Sequence, residues 1–250
     1  VLHGHNEDWS EDFANLVYFV VYNALPGATF RPVGGLVYPG QAPGFSASFN
    51  EDVWMTQNTL NPRDINISGI CIAAVSRRAL EMSSVEETIR ILTEPGQALG
   101  MSVNFVQISS LPSLRRGAAL AGNIEIAGAA GTSSVSPLRA NMTHFNLYKH
   151  LNSSEEGGNW SDSSVHRQAA SDRHQLPASR GDILQILGDV TDSVLPIYRS
   201  KTMVTVFFSS SDGSFQAWHG SNPATSPPLW QSSVASLFES STLSGGRIVV

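Results

Sequence analysis

The sequence predicts an α+β layer architecture, helices stacked on mainly antiparallel sheets, and three observations carry that expectation. The first third consists of short runs rich in branched and aromatic residues, separated by Pro and Gly. The middle switches to a helical period, and strand character then returns. The chain's 250 residues, 41% of them hydrophobic, suit a single domain over 1–250 with a substantial core.

Taken in order, "LVYFVVYNAL", "ATFRPVGGLVYPG" and "GFSASFN" read as sheet strands. "IAAVSRRALEM" then places Ile72, Val75, Ala79 and Met82 near one face of a helix. Ser83 with Glu86 forms an expected capping box that opens a second helix, "VEETIRIL". "SVNFVQIS" and "AALAGNIEIAG" return to strands, whereas 152–164, within "LNSSEEGGNWSDSS", is polar and Gly/Ser-rich and is expected as an exposed loop. "SRGDILQILGD" reads as a short helix, and "KTMVTVFFSSSDGSFQAWHG" as two strands joined at Asp212-Gly213. Periodicity fades from Ser221, so 221–250 is expected as an irregular tail.

Composition narrows the function classes. The net charge is −6 and the 15 Lys and Arg are scattered, so no basic stripe is present to neutralise a nucleic-acid backbone. The longest apolar runs, Leu16 to Val21 and Met203 to Phe208, fall well short of the roughly 20 residues of a membrane span. The single cysteine, Cys71, allows no internal disulfide and no Cys-rich zinc site, and its apolar neighbours predict an inert, buried thiol. Sequons at Asn66, Asn141, Asn152 and Asn159 lean towards a secretory or lysosomal setting, with cytoplasm or peroxisome still open. Val1 is no initiator and the first residues read as mid-strand, so a preceding piece is expected.

The densest chemistry lies in "VLHGHNEDW". His3 and His5 fall on one side of a strand, where two imidazoles can share a zinc ion. A hydrolytic zinc site needs further ligands, and the H-x-H-x-D-H pattern fails: Asp8 is one place late and Trp9 stands where a histidine should be. His166 and His174 lie in a polar context that supplies no second cluster. No metal is expected. The plain alternative makes these histidines satisfied polar groups at a strand end, with Asp8 capping the next turn.

"HGHNEDW" followed by "YFVV" resembles the "G-x-N-x-D" segment of the N-terminal-nucleophile hydrolases of the acyl-CoA:6-aminopenicillanic-acid acyltransferase and acid-ceramidase type. "PGFSASFNEDVWMTQNTL", "SRRALEMSSVEETIRIL", "NIEIAG", "NMTHF", "DSSVHR", "DILQIL" and "TMVTVFF" follow in the family's order, so the resemblance runs from about Val1 to Gly220. It implies a four-layer αββα sandwich of two mainly antiparallel sheets, and an amide-bond hydrolase or acyltransferase. The family's nucleophile is a cysteine freed by autoproteolysis whose own α-amino group is the base. That chemistry is sensible, because a thiol needs only a nearby amine to become thiolate. The cysteine would precede Val1, and Cys71, on another element, is no substitute.

The resemblance assigns roles residue by residue. Asp8 would hold the cysteine amine, and Asn6 would fix the turn beneath it. His5 stands where ceramidases and bile-salt hydrolases carry arginine, exchanging a permanent cation for a titratable one; Glu7 is expected to face solvent. The family's oxyanion donor is an asparagine in "TNHF", and losing such a donor typically costs ~100- to 1,000-fold in turnover. Here Thr143, before His144 and Phe145, occupies that place. Three readings stay open: Thr143 donates through its hydroxyl, Asn141 does so from the same strand face, or the site is impaired. Asn141 also begins a sequon, and a glycan and a catalytic role exclude each other there. Arg167 matches an arginine of the family, with a solvated surface position as its plain alternative, and Asn58 matches a family asparagine near the pocket, with a sheet or turn role as its alternative; with His144 they would bind substrate or support the site. No cofactor is implied. The partners would be a small-molecule amide or acyl-CoA substrate and the α-chain of the protein's own precursor, and the alternative is an inactive relative serving as a binding module.

Overall fold

The structure, a computed structural model, describes residues 1–23, 30–108, 120–155, 159–241 and 248–249. Its elements run β1 (Leu2–Asp8), β2 (Tyr18–Tyr22), β3 (Val33–Val37), β4 (Ser48–Phe49), β5 (Val53–Leu60), α1 (Ile72–Ala79), α2 (Val85–Leu92), β6 (Gly100–Gln107), β7 (Ala121–Ala127) and β8 (Ser133–Pro137). Then follow α3 (Asn159–Asp172), α4 (Arg180–Leu187), β9 (Thr202–Ser209), β10 (Ser214–His219), β11 (Trp230–Ser233), α5 (Val234–Ser241) and β12 (Ile248–Val249). A 4-stranded sheet has the order β1-β9-β10-β11 and an 8-stranded sheet the order β12-β2-β3-β4-β5-β6-β7-β8. The strand pairs in both are antiparallel.

Strand alternation sorts the side chains into layers. Along β9, Val204, Val206 and Phe208 point at the large sheet, while Phe207 points away, against Leu184 of α4. Along β5, Trp54 faces the small sheet, whereas Val53 and Met55 pack under α1 and α2. Trp54 stacks on Phe208 at 4.6 Å and on Phe49 at 5.5 Å, closing one half of the inter-sheet space with aromatic surface. The resulting order of helices, large sheet, small sheet and helix is the αββα sandwich the sequence implied.

Several local expectations need correction. Met82 lies past the end of α1, and α2 is the expected "VEETIRIL" but is capped one residue later than expected: the Ser84 side chain accepts from the Glu87 N–H at 3.1 Å, while Glu87 reaches back to Ser83. Cys71 is exposed, because it precedes α1 at the N-cap while Ile72, Val75 and Ala79 take the buried face. Residues 159–164 belong to α3, with Ser163 and Ser164 buried, so composition was a poor guide to that segment. Residues 156–158 of the expected loop lie outside the described residues. The tail is ordered in part as β11, α5 and β12, with Val234, Leu237 and Phe238 in the inter-sheet core; 242–247 and 250 lie outside the described residues. Among the described residues no helix is long and apolar enough to cross a membrane.

Gly4 explains how α4 sits on β1. A Cβ there would stand 2.5 Å from Ile183 Cγ2 and 2.7 Å from Leu187 Cδ1, closer than nonbonded carbons approach. Gly4→Val should therefore push α4 off the sheet. We expect a stability loss of about 1–3 kcal/mol in denaturant unfolding; an unshifted midpoint would refute the close-packing argument.

Candidate active site

Between the sheets, beside the apolar half built on Trp54, lies a cavity of about 460 Å³. Its wall includes the residues to which the resemblance gives a place in the site: His5, Asn6, Asp8, Asn58, Asn141, Thr143, His144 and Arg167. The fold brings them from β1, β5, the 141–146 segment and α3. Register does the sorting: β1 pairs His3 with Phe208, His5 with Val206 and Glu7 with Val204, so these three β1 side chains face the large sheet.

Glu7 therefore does not face solvent; it is 8% exposed. Tyr38 donates to its Oε1 at 2.5 Å, Ser46 donates to Oε2, and His5 Nε2 lies 3.2 Å from Oε2. Burial first, and Glu7 second, push the Tyr38 phenol above its ordinary range, so it stays a donor. His3 is engaged separately, its Nε2 lying 2.9 Å from Thr56 Oγ1. Burial, with His5 adding to it, lowers His3 to about 3, so its imidazole is neutral at physiological pH.

Asn6 points the other way. Its Nδ2 donates to Leu187 O at 2.8 Å, a carbonyl in the last turn of α4, and its Oδ1 accepts from Thr205 Oγ1 at 2.7 Å. Asn6 thus ties β1 to α4 and β9 rather than fixing a turn. After it the register shifts between Glu7 and Asp8, and the bulge turns Asp8 towards two arginines. Arg199 Nε and Nη2 donate to Asp8 Oδ2 at 3.1 and 2.9 Å, and Thr202 Oγ1 donates to Oδ1 at 2.7 Å. Arg167 Nη1 lies 3.8 Å from Oδ2. Burial lowers Arg167 to about 10, with Asp8 opposing the fall and Arg199 adding to it, so it remains cationic at neutral pH.

Arg167 also donates through Nη2 to Asn146 Oδ1 at 2.9 Å and lies over the Phe145 ring. Residues 141–146 are not a strand, so Asn141 and Thr143 share no strand face. Asn141 is exposed at the cavity. The Thr143 hydroxyl accepts from Gln168 Nε2 at 3.3 Å, which leaves its own O–H free to donate. Asn58 Nδ2 donates to His144 O at 3.1 Å.

Residues 1–222 match the sequence model of the family described as acyl-coenzyme A:6-aminopenicillanic acid acyl-transferase. The chain belongs to that family. The β-alanyl-dopamine/carcinine hydrolase of Drosophila melanogaster is 24% identical over 216 residues, 78% of this chain and 54% of that protein. The chain thus spans about half the length of the curated relative it matches. Two solved structures are also similar. A Caenorhabditis elegans ortholog of N-acylethanolamine-hydrolyzing acid amidase has 12% identity and a TM-score of 0.49, over 100% of this chain and 94% of that one. A mutant conjugated bile acid hydrolase from Clostridium perfringens has 13% identity and a TM-score of 0.47, over 88% and 85%.

In this member of the acyl-transferase family, sequence reasoning missed Glu7, Arg199 and Thr202 as parts of the site. A usable signal existed for Glu7, since the alternation that put His3 and His5 on one face continues to it. For Arg199 and Thr202, 191 and 194 residues from Asp8, there was none.

Proposed function

We propose that the protein is an amide-bond hydrolase or N-acyltransferase for small molecules, working through an acyl-enzyme on an N-terminal cysteine carried upstream of Val1. The observation behind this is the cavity itself: all the residues assigned by the family resemblance border it, beside β1. In the small sheet β1 is terminal, and among the described residues its outer edge pairs with no strand. An unpaired edge of this kind is a template for another strand. In this scheme the cysteine thiolate attacks the amide carbonyl carbon, and the C–N bond breaks as the amine leaves with a proton. Water or a second amine then takes the acyl group from the thioester. Asp8 holds the α-amino group, Arg167 and Asn58 border the acyl pocket, and Thr143 or Asn141 donates to the oxyanion. In the transfer direction an acyl-CoA is the donor.

The test uses the full-length protein. The expected result is self-cleavage of the precursor before a cysteine, followed by hydrolysis of N-β-alanyl-dopamine with a thioester adduct visible by mass spectrometry. A second function, that of a non-catalytic binding module, is favoured by one observation: Thr143 stands where the resemblance implies asparagine. An uncleaved precursor without amidase activity would establish that reading instead.

A further inference from the structure

The wall segment that carries Asn141, Thr143 and His144 has no regular secondary structure, and beside ties to Asn58, Thr59, Arg167 and Gln168 a buried carboxylate gathers hydrogen bonds from His144 and from the chain at 149–151. Glu125, on β7, is 0% exposed. Its Oε1 accepts from His144 Nε2 at 2.8 Å and from the Lys149 N–H at 2.6 Å. Its Oε2 accepts from the His150 and Leu151 N–H groups at 2.8 and 2.7 Å. Three consecutive backbone donors, none of them in a strand or helix, therefore find their partner in one anion, and charge-assisted bonds satisfy them well.

Glu125 does not itself border the cavity, but His144, which it holds, does, and Lys149, which it also holds, grips Thr143. The carbonyl of His144 accepts from Asn58, Ser102 Oγ lies 3.3 Å from its ring nitrogens, and Lys149 Nζ donates to Thr143 O at 2.6 Å. The stretch is thus pinned at His144 and at 149–151, with further ties at Asn146, which donates to Thr59 O and accepts from Arg167, and at Thr143, which accepts from Gln168.

We propose that Glu125 is the positioning residue of this site: by anchoring 144–151 it fixes where the oxyanion-donor candidates Thr143 and Asn141 stand relative to the cavity. The proposal deepens the hydrolase function above and rests on it for its kinetic consequence alone. A glutamine at 125 keeps the shape but presents an NH₂ to facing N–H donors, so at least one donor is left unsatisfied and the segment shifts. A displacement of about 1 Å in a positioned group can cost on the order of 100-fold in rate.

The experiment compares the full-length wild type with Glu125→Gln, using hydrolysis of N-β-alanyl-dopamine and hydrogen exchange at the Lys149, His150 and Leu151 amides. The expected result is a kcat lower by ~10- to 100-fold with KM little changed, faster exchange at the three amides and a shifted His144 imidazole resonance. Should Glu125→Gln fail to fold, Glu125→Asp, which keeps the charge but withdraws it by one methylene, is measured in the same way and should show a smaller loss of the same kind. An active wild type matched by an equally active variant overturns the inference and leaves the hydrolase function standing. A wild type without turnover sinks the hydrolase function, while unaltered exchange in the variant overturns the inference on its own.

Discussion

Asp8→Asn in the full-length protein is expected to abolish turnover and to cost about 3 kcal/mol of folding stability. The second effect follows from the pairing alone. Arg199 binds Asp8 through two N–H groups and Arg167 stands 3.8 Å away, with side-chain exposures of 18%, 10% and 15% for Arg199, Arg167 and Asp8. Neutralising the carboxylate leaves two guanidiniums facing one another with their shared counter-charge gone. Breaking a fully buried pair costs roughly 3–5 kcal/mol, and the residual exposure here points to the low end of that range. Thr202→Val provides the control, since it removes one donor to Asp8 but keeps the charge; a loss of about 1 kcal/mol is expected, with activity retained. Denaturant unfolding and amidase assays of the two variants separate the roles. An Asp8→Asn protein that is destabilised yet fully active would confine Asp8 to an arginine clamp and remove it from the catalytic scheme.

How much of this was legible in the sequence depends on the range over which each feature is determined. The strands and helices were legible because their signals are local: β2 and β9 are runs of branched and aromatic residues, and Ile72, Val75 and Ala79 recur on one helical face. The first turns of α3 were not. "NWSDSS" has the composition of a loop, and it is helical in a setting where Arg199, 36 residues on, donates to Ser163 Oγ at 2.8 Å, a contact that no local window contains. The site divides along the same line. Alternation puts Glu7 on the face of His3 and His5, a signal the solvent-facing expectation passed over, and its partners Tyr38 and Ser46 lie 31 and 39 residues away, where no local window reaches. The family resemblance gives Asn6 a turn to fix, yet its donor meets α4, 181 residues on. Family resemblance supplied which residues converge. Only the register of β1 on β9 and the approach of α4 to Gly4 determine which face each residue takes.

The acid limb of stability should carry a Glu125 signature of about 3 kcal/mol, the second-largest effect expected in this molecule. Burial pushes this carboxyl upward, but bonds from His144 and from the backbone of Lys149, Leu151 and His150 outweigh it and bring it from 4.5 down to about 2. A folded-state pKa below the unfolded value means that the unfolded chain binds the proton first as pH falls. The stabilisation is therefore complete above about pH 4.5 and lost progressively towards pH 2. At about 1.4 kcal/mol per pKa unit, the shift amounts to roughly 3 kcal/mol. Other carboxyls slope the same way, among them Asp189 and Asp212, so the wild-type profile alone does not isolate one group. The difference between wild type and Glu125→Gln does, because glutamine does not titrate. His144, Lys149, Tyr148 and Glu155 face or couple to the same carboxylate and are present in both proteins. Unfolding free energies measured from pH 2 to 7 should thus converge near pH 2 and part by about 3 kcal/mol above pH 5. A constant gap across that range would mean that Glu125 acts through shape and hydrogen bonding and that its charge does not hold the cavity wall.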